Sequence, residues 1–283
     1  MPDSFLLEAR KSFHAALLQN ILRTDSNGVP SNADKHSEVS VTLAVGMLSR
    51  LGQSATGARL AGQMSGSKFE TVCREYLETI FPKLAHLRPG RFAIQRGTAS
   101  TIADCDQYDH LGELERAIEN NPELAVSLGH DYLIKPDVVI VRSPEPDETI
   151  NSAGNLVSGH EARRTSLRQV NQTKCILHAS ISCKSTLRSD RAQNARSEAL
   201  NLVRNRKGKL PHIVVVTGEP APNRIASIAL GTGDIDCVYH IALPELTDAI
   251  HESPYRDAEE LLSMMVQGKR VRDIADLPLD LTI

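Results

Sequence analysis

Tryptophan is absent from this 283-residue chain, and the aromatic complement is only five Phe and five Tyr. Single-stranded bases would find no row of stacking platforms here, so any contact with nucleic acid has to be polar. Cysteine is also sparse: Cys73, Cys105, Cys175, Cys183 and Cys237 are odd in number and scattered, with no CxxC and no His/Cys ladder. That argues against a zinc centre and against a disulfide framework, and leaves five reduced thiols as expected core residues. No stretch approaches the roughly 20 apolar residues that span a bilayer. The opening Met1-Pro2-Asp3-Ser4 has neither the basic flank nor the apolar run of a signal peptide. A cytoplasmic protein without a membrane partner is expected. Internal repeats are missing, as is any GxGxxG or P-loop after a predicted strand, which disfavours a nucleotide-dependent metabolic enzyme.

Charge of one sign is missing only on average. The 32 basic and 35 acidic residues give a net charge of −3, which looks unpromising for a partner as anionic as DNA. Between Glu161 and Lys209, however, twelve basic residues face three acids, a window of +9 that leaves −12 for the remainder. The positive charge is gathered at one place, which excludes a generally basic coating protein but not an enzyme that meets DNA locally.

Length permits one large domain or two small ones, and no segment reads as a linker. A single domain over 1–283 is expected, with a helical part at 1–65, a core at 66–245 and a helical part at 246–283. Helical spacing predicts helices over Ser4–Leu22, with Asp3 as cap, and Val39–Leu51. The clearest helix carries Phe69, Val72, Cys73, Tyr76, Leu77, Ile80 and Phe81 on one face and ends at Pro82. Strands are predicted at Tyr132–Val141, Cys175–Lys184, Ile213–Val216 and Ile235–Ile241, with Ser143–Glu148 as a loop and a helix from Asp190 to about Asn205. A last helix through Ala258, Leu261, Leu262, Met265 and Val266 stops at Gly268. The order of elements implies an α/β fold, a mixed sheet flanked by helices.

Period-two alternation gives the strand Cys175–Lys184 an apolar face, ending in Cys183, and a polar face of His178, Ser180, Ser182 and Lys184. A lysine at a strand end can simply reach solvent, and Asp137, just before the apolar run Val138–Val141, can be a Pro-Asp turn. Together they are the pair a metal-dependent phosphodiesterase needs: the acid holds Mg²⁺, and the ammonium steadies the attacking water and the charge growing on phosphorus. Glu70 falls at the edge of the apolar stripe of its helix, whereas Glu75 and Glu78 face water; a first-turn acid favoured by the helix dipole is its plainer reading. Glu198 lies beside the apolar row of its own helix, where an exposed acid is the plainer reading.

Lys135-Pro136-Asp137, then Ser182-Cys183-Lys184-Ser185-Thr186-Leu187-Arg188-Ser189-Asp190-Arg191 and Glu198, resemble the PD-(D/E)XK nuclease superfamily, and within it the CCGG group of type II restriction endonucleases. One departure is informative. The position two before the lysine, an acid in most of the superfamily, is Ser182; the CCGG group carries that acid downstream, and Glu198, 14 residues after Lys184, fits. The resemblance implies a restriction-endonuclease-like core with Asp137 and the Cys183 backbone carbonyl as Mg²⁺ ligands. Glu70 and Glu198 would act on the metal directly or through water, and Ser182 and Lys184 would complete the catalytic set.

Arg188, Asp190 and Arg191 stand at a helix entry. Arg bonds bidentately to guanine and Asp accepts from the cytosine amino group, so the triplet suits G·C pairs in the major groove; the plainer reading is a helix cap with phosphate clamps. The resemblance favours readout of a CCGG core by this triplet. It adds Arg224 and Asp34 at an outer G·C pair and Gln63 in the minor groove, which makes the site GCCGGC. It also implies a dimer per double-stranded site, assembled into a homotetramer. Two other classes remain open at this stage: a PD-(D/E)XK repair or junction nuclease that reads shape, and a DNA-binding regulator that does not cut.

Overall fold

The computed structural model describes residues 3–52, 55–57, 62–119, 121, 123, 134–231 and 233–283. Two short parallel strands, β1 (Arg23–Thr24) and β2 (Ala55–Thr56), stand apart from a six-stranded sheet. That sheet runs in chain order: β3 (Phe92–Arg96), β4 (Val138–Arg142), β5 (Ile176–Lys184), β6 (His212–Thr217), β7 (Cys237–His240) and β8 (Val271–Asp273). β3, β4 and β5 pair antiparallel, whereas β5 to β8 are parallel. The sheet is therefore mixed, as the sequence implied. One consequence fixes the site. The start of β4 and the ends of β5, β6 and β7 come out at the same edge, with Val138 opposite Ile181, Lys184 beside Thr217, and Thr217 beside His240.

Helices cover the sheet: α1 (Phe5–Asn20), α2 (Glu38–Leu51), α3 (Gly62–Ile80), α4 (Ser189–Asn205), α5 (Pro222–Ala229), α6 (Leu243–His251) and α7 (Arg256–Gln267). The apolar stripe of α3 is buried from Phe69 to Ile80, while Glu75 and Glu78 are exposed. The helix hands over to a 3₁₀ turn, Phe81–Leu84, with Pro82 in its first positions, because a proline tolerates a helix start but not an interior. One contiguous hydrophobic cluster runs from Ala9 to Leu281 and includes all of β4 but its last residue. Arg10 on α1 forks to Asp273 at 2.8 and 2.9 Å and to Glu245 at 2.7 and 2.6 Å. It thereby ties α1 to β8 and α6 through charge-assisted bonds.

Several expectations need correction. The cap of α1 is Ser4, which accepts from the Leu7 N–H at 3.3 Å, and not Asp3. β4 begins at Val138, later than the predicted Tyr132; residues 132 and 133 lie outside the described residues, and Ile134 to Asp137 are not strand. Part of the expected loop at Ser143–Glu148 belongs to a short helix, Asp147–Ile150. The polar face of β5 is not wet. His178, Ser180 and Ser182 are buried, because β5 is an inner strand covered on both sides. His178 settles there by bonding the Leu281 carbonyl at 2.7 Å and meeting the Phe92 and His212 rings edge-on.

Gly97, just after β3, shows how tightly the acid-bearing segment is held. Its N–H donates to the Asp137 carbonyl at 3.2 Å, and a Cβ there would lie 2.2 Å from the Pro136 carbonyl oxygen. The obstacle is backbone, so no side-chain rotation relieves it. Gly97→Ala is expected to cost about 1–3 kcal/mol, read as a lower midpoint in urea unfolding; an unchanged midpoint refutes this account of the contact.

Candidate active site and nucleic-acid interface

Asp137 is set at the mouth of β4 by Pro136, which biases the chain to extended geometry, and by the Gly97 contact. Its Oδ2 accepts the Cys183 backbone N–H and the Lys184 ammonium, each at 2.6 Å. The predicted pair therefore meets across adjoining strand ends, 47 residues apart in sequence. Burial pushes the Lys184 pKa down, but the Asp137 carboxylate, with Glu198 behind it, outweighs this and holds the ammonium charged.

Glu70, on α3, is half-buried. Burial, then repulsion from Asp137, raises its pKa, against the pull of Arg96 and Lys184; its Oε2 lies 3.7 Å from Arg96 Nη2. Glu198, on α4, is enclosed more fully, and burial carries its pKa up to about 7, with Lys184 opposing and Asp137 adding to the rise. Glu70 and Glu198 thus each feel the repulsion of Asp137 and the attraction of Lys184. Ser182 lies beside them, with a buried hydroxyl that has no hydrogen-bond partner in the protein. The Cys183 thiol turns away to Cys73, and that contact and its burial raise its pKa well above the usual thiol range, so this residue offers the site its backbone only.

An excess of carboxylate charge and an orphaned hydroxyl suit a hard divalent cation such as Mg²⁺, which takes oxygen ligands. Among the described residues no three acidic, histidine or cysteine side chains converge as a closed cage. Mg²⁺ does not require one, since it keeps several waters and uses one or two carboxylates together with substrate phosphate.

Beyond Lys184 the chain turns into α4 and forms one wall of a cleft of about 1250 Å³. Arg188 occupies the N-cap position of α4 with its side chain exposed. Asp190 is exposed in the first turn, and Arg191 donates to Thr186 at 2.8 Å. The cap reading of Asp190 is thereby excluded. The same cleft is lined by Asp34 and Arg224, brought together from 190 residues apart in a short ion pair. The His36 backbone N–H, then Arg224, lower the Asp34 pKa. Gln63 stands exposed in α3 and is not among the described residues that line the cleft.

Sequence reading missed Arg23, Arg196 and Glu219. The first two line the cleft; lone arginines carry no spacing signal. Glu219 is fully buried. Its signal was present but weaker, an acid three residues after the apolar run Ile213–Val216, where Asp137 stands immediately before one.

Among the described residues no helix is long and apolar enough to cross a membrane. An acid and a lysine joined at adjacent antiparallel strand ends, at one edge of a mixed sheet flanked by helices, are the arrangement that the sequence resemblance implies. The family described as "NgoMIV restriction enzyme" matches residues 13–283. The type II restriction enzyme NgoMIV of Neisseria gonorrhoeae is 52% identical over 280 residues, 98% of each chain. Among solved structures, the restriction endonuclease Bse634I with cognate DNA aligns at TM-score 0.36 and 15% identity, over 90% of this chain and 92% of that one. A PspGI–substrate DNA complex aligns at TM-score 0.26 and 13% identity, over 98% of this chain and 89% of that one. The chain belongs to the NgoMIV restriction enzyme family and is a type II restriction enzyme, a site-specific DNA nuclease.

The raised pKa of Glu198 has a sign that can be tested. A carboxyl whose folded pKa lies above its ordinary 4.5 stabilises the fold, relative to its charged form, only while protonated. That contribution is complete below about pH 4.5 and is lost as pH rises through about 7. At pH 8, without metal, the charge costs on the order of 3 kcal/mol. Glu198→Gln should therefore melt above the wild type at pH 8 and level with it at pH 4.5. A wild type that melts higher at pH 8 contradicts the assignment.

Proposed function

We propose that this enzyme cuts both strands of DNA, in a Mg²⁺-dependent reaction, at a G·C palindrome with a CCGG core, GCCGGC, leaving a 5′-phosphate and a 3′-hydroxyl. The observation that carries the reading is the Asp34–Arg224 pair lining the same cleft as Arg188. A carboxylate accepts from the cytosine amino group and a guanidinium donates to guanine O6 and N7, so an adjacent pair matches the two bases of one G·C step. Arg188, Asp190 and Arg191 take the CCGG core, Arg224 and Asp34 the outer pair, and Gln63 the minor groove.

Asp137 and the Cys183 carbonyl hold the metal, with Glu70 and Glu198 bound directly or through water. Mg²⁺ bound there supplies a water of lowered pKa and neutralises charge at the scissile phosphate. Lys184 gives up part of its bond to Asp137 and directs its ammonium at the attacking water and the developing phosphorane. Ser182 offers its unpaired hydroxyl to the hydration shell. The whole chain, 1–283, works as one nuclease domain, since the hydrophobic cluster draws residues from all three of its parts. A palindrome read twice over calls for a two-fold protein, and we assign a dimer to each site and a tetramer of two such dimers.

Plasmid DNA with mapped GCCGGC sites is expected to yield only the fragments those sites dictate, and only with Mg²⁺; fragments mapping elsewhere sink the specificity. Lys184→Ala should lower the cleavage rate by about 10³ or more while gel-shift affinity for GCCGGC in Ca²⁺ stays within a few fold. Normal cutting by that variant overturns the catalytic assignment.

A further inference from the structure

Gly218 and Glu219, at the end of β6, tie together segments that the proposed reading assigns to different base pairs. The Glu219 side chain is 0% exposed. Its Oε2 accepts the Leu187 N–H at 2.8 Å, immediately before Arg188. Its Oε1 accepts the Ala221 N–H at 3.2 Å, and Ala221 caps α5, the helix that carries Arg224. Arg224 itself, paired with Asp34, has Nη1 3.9 Å from Glu219 Oε2. The third segment is held through the backbone: the Asn32 side-chain amide, two residues before Asp34, donates to the Gly218 carbonyl at 2.8 Å.

The junction is closely packed. A Cβ on Gly218 would lie 2.8 Å from Ile241 Cδ1 and 3.2 Å from the Ser185 carbonyl, so a side chain there would displace Ile241. His240 accepts the Ala242 N–H at Nδ1, so its Nε2 carries the proton and donates to the Glu219 carbonyl at 3.2 Å. A buried carboxylate is costly unless fully partnered. Here its partners are two backbone N–H groups from separate segments and the guanidinium of one reader, a more specific set than loop closure alone needs.

We infer that Glu219 is a positioning residue that locks the inner reader, Arg188, and the outer readers, Arg224 and Asp34, in one register, so that discrimination at the two base pairs is set jointly; this rests on the base contacts proposed above. A glutamine at this position keeps the shape but presents an amide N–H₂ to one of the two backbone donors, and one segment comes loose.

The test is the ratio of kcat/KM on GCCGGC to kcat/KM on sites altered singly at the outer pair or at an inner pair, measured for wild type and Glu219→Gln with Mg²⁺. A ratio does not depend on the fraction of active protein, so a loss of stability alone leaves it unmoved. Both ratios are expected to fall by about tenfold or more, the scale of one bidentate base contact. Equal loss of cleavage on every site, with both ratios intact, overturns the inference, and so does a fall at one pair only. If Glu219→Gln yields no folded protein, Glu219→Asp decides: it keeps the charge but is one methylene short of spanning both segments, and unchanged ratios in it refute the role. Arg188→Ala and Arg224→Ala separate this failure from that of the underlying reading. If they leave the ratios at their own base pairs unmoved, the base contacts themselves are wrong and the inference falls with them. If they lower those ratios while the Glu219 variants do not, only the inference fails.

Discussion

Oδ2 of Asp137 joins β4 to β5 by accepting both the Cys183 N–H and the Lys184 ammonium. Everything else in the site is arranged around that double acceptance. It fixes the register at which β4 enters the sheet, and it keeps a largely buried lysine charged. Lys184 in turn tempers two further carboxyls, Glu70 and Glu198, whose pKa values are raised by burial. Acids drawn this close are a standing electrostatic load in the metal-free protein, and the fold tolerates it because the sheet edge and the Gly97–Pro136 contact leave the backbone little freedom to separate them. A site strained by like charge is what a divalent cation relieves.

The sequence made this core legible because its chemistry and its periodicity coincide. Asp137 and Lys184 each border an apolar strand, so the strands could be found from the runs of Val and Ile and the charged residues read as their ends. Glu70 was legible for a related reason, an acid at the margin of a clear helical stripe. The errors came from context that no local pattern carries. The polar face of β5 alternates as a wet face would, yet β5 lies inside the sheet, and its serines and His178 are buried against elements far away in sequence. β3 and β8, the two edge strands, were not anticipated; they are short, and β8 is only three residues long. Glu219 escaped because Thr217 and Gly218 separate it from the apolar run Ile213–Val216, so local pattern gives it the look of a loop acid, and its partners Leu187 and Arg224 come from other segments.

The charge window is less local in space than in sequence. The +9 from Glu161 to Lys209 spans β5 and α4, but Lys174 and Lys209 border the starts of β5 and β6, at the opposite sheet edge from Lys184. Arg188 and Arg196 of this window line the cleft, joined there by Arg23 and Arg224 from outside it, so the positive charge at the cleft is assembled by the fold and not by one basic run.

Arg224 and Asp34, the proposed readers of the outer base pair, raise a question of energy. Without DNA, Arg224 and Asp34 satisfy each other across a partly exposed cleft, and an ion pair there contributes little to stability. In the proposed reading, contact with the correct G·C pair exchanges that bond for one to guanine and one to cytosine, at little net cost because both charges stay partnered. A wrong pair offers a donor where Arg224 presents donors, or an acceptor where Asp34 presents acceptors. The two charges must then either keep their own bond and forgo the base, or part and be desolvated without partners, which costs more than the missing contact itself. Discrimination of this kind rests on penalty as much as on attraction. It requires that neither residue can drift to a compromise position, and that requirement gives a physical reason for anchoring α5 and the Asn32 segment to the same two residues that hold the loop before Arg188.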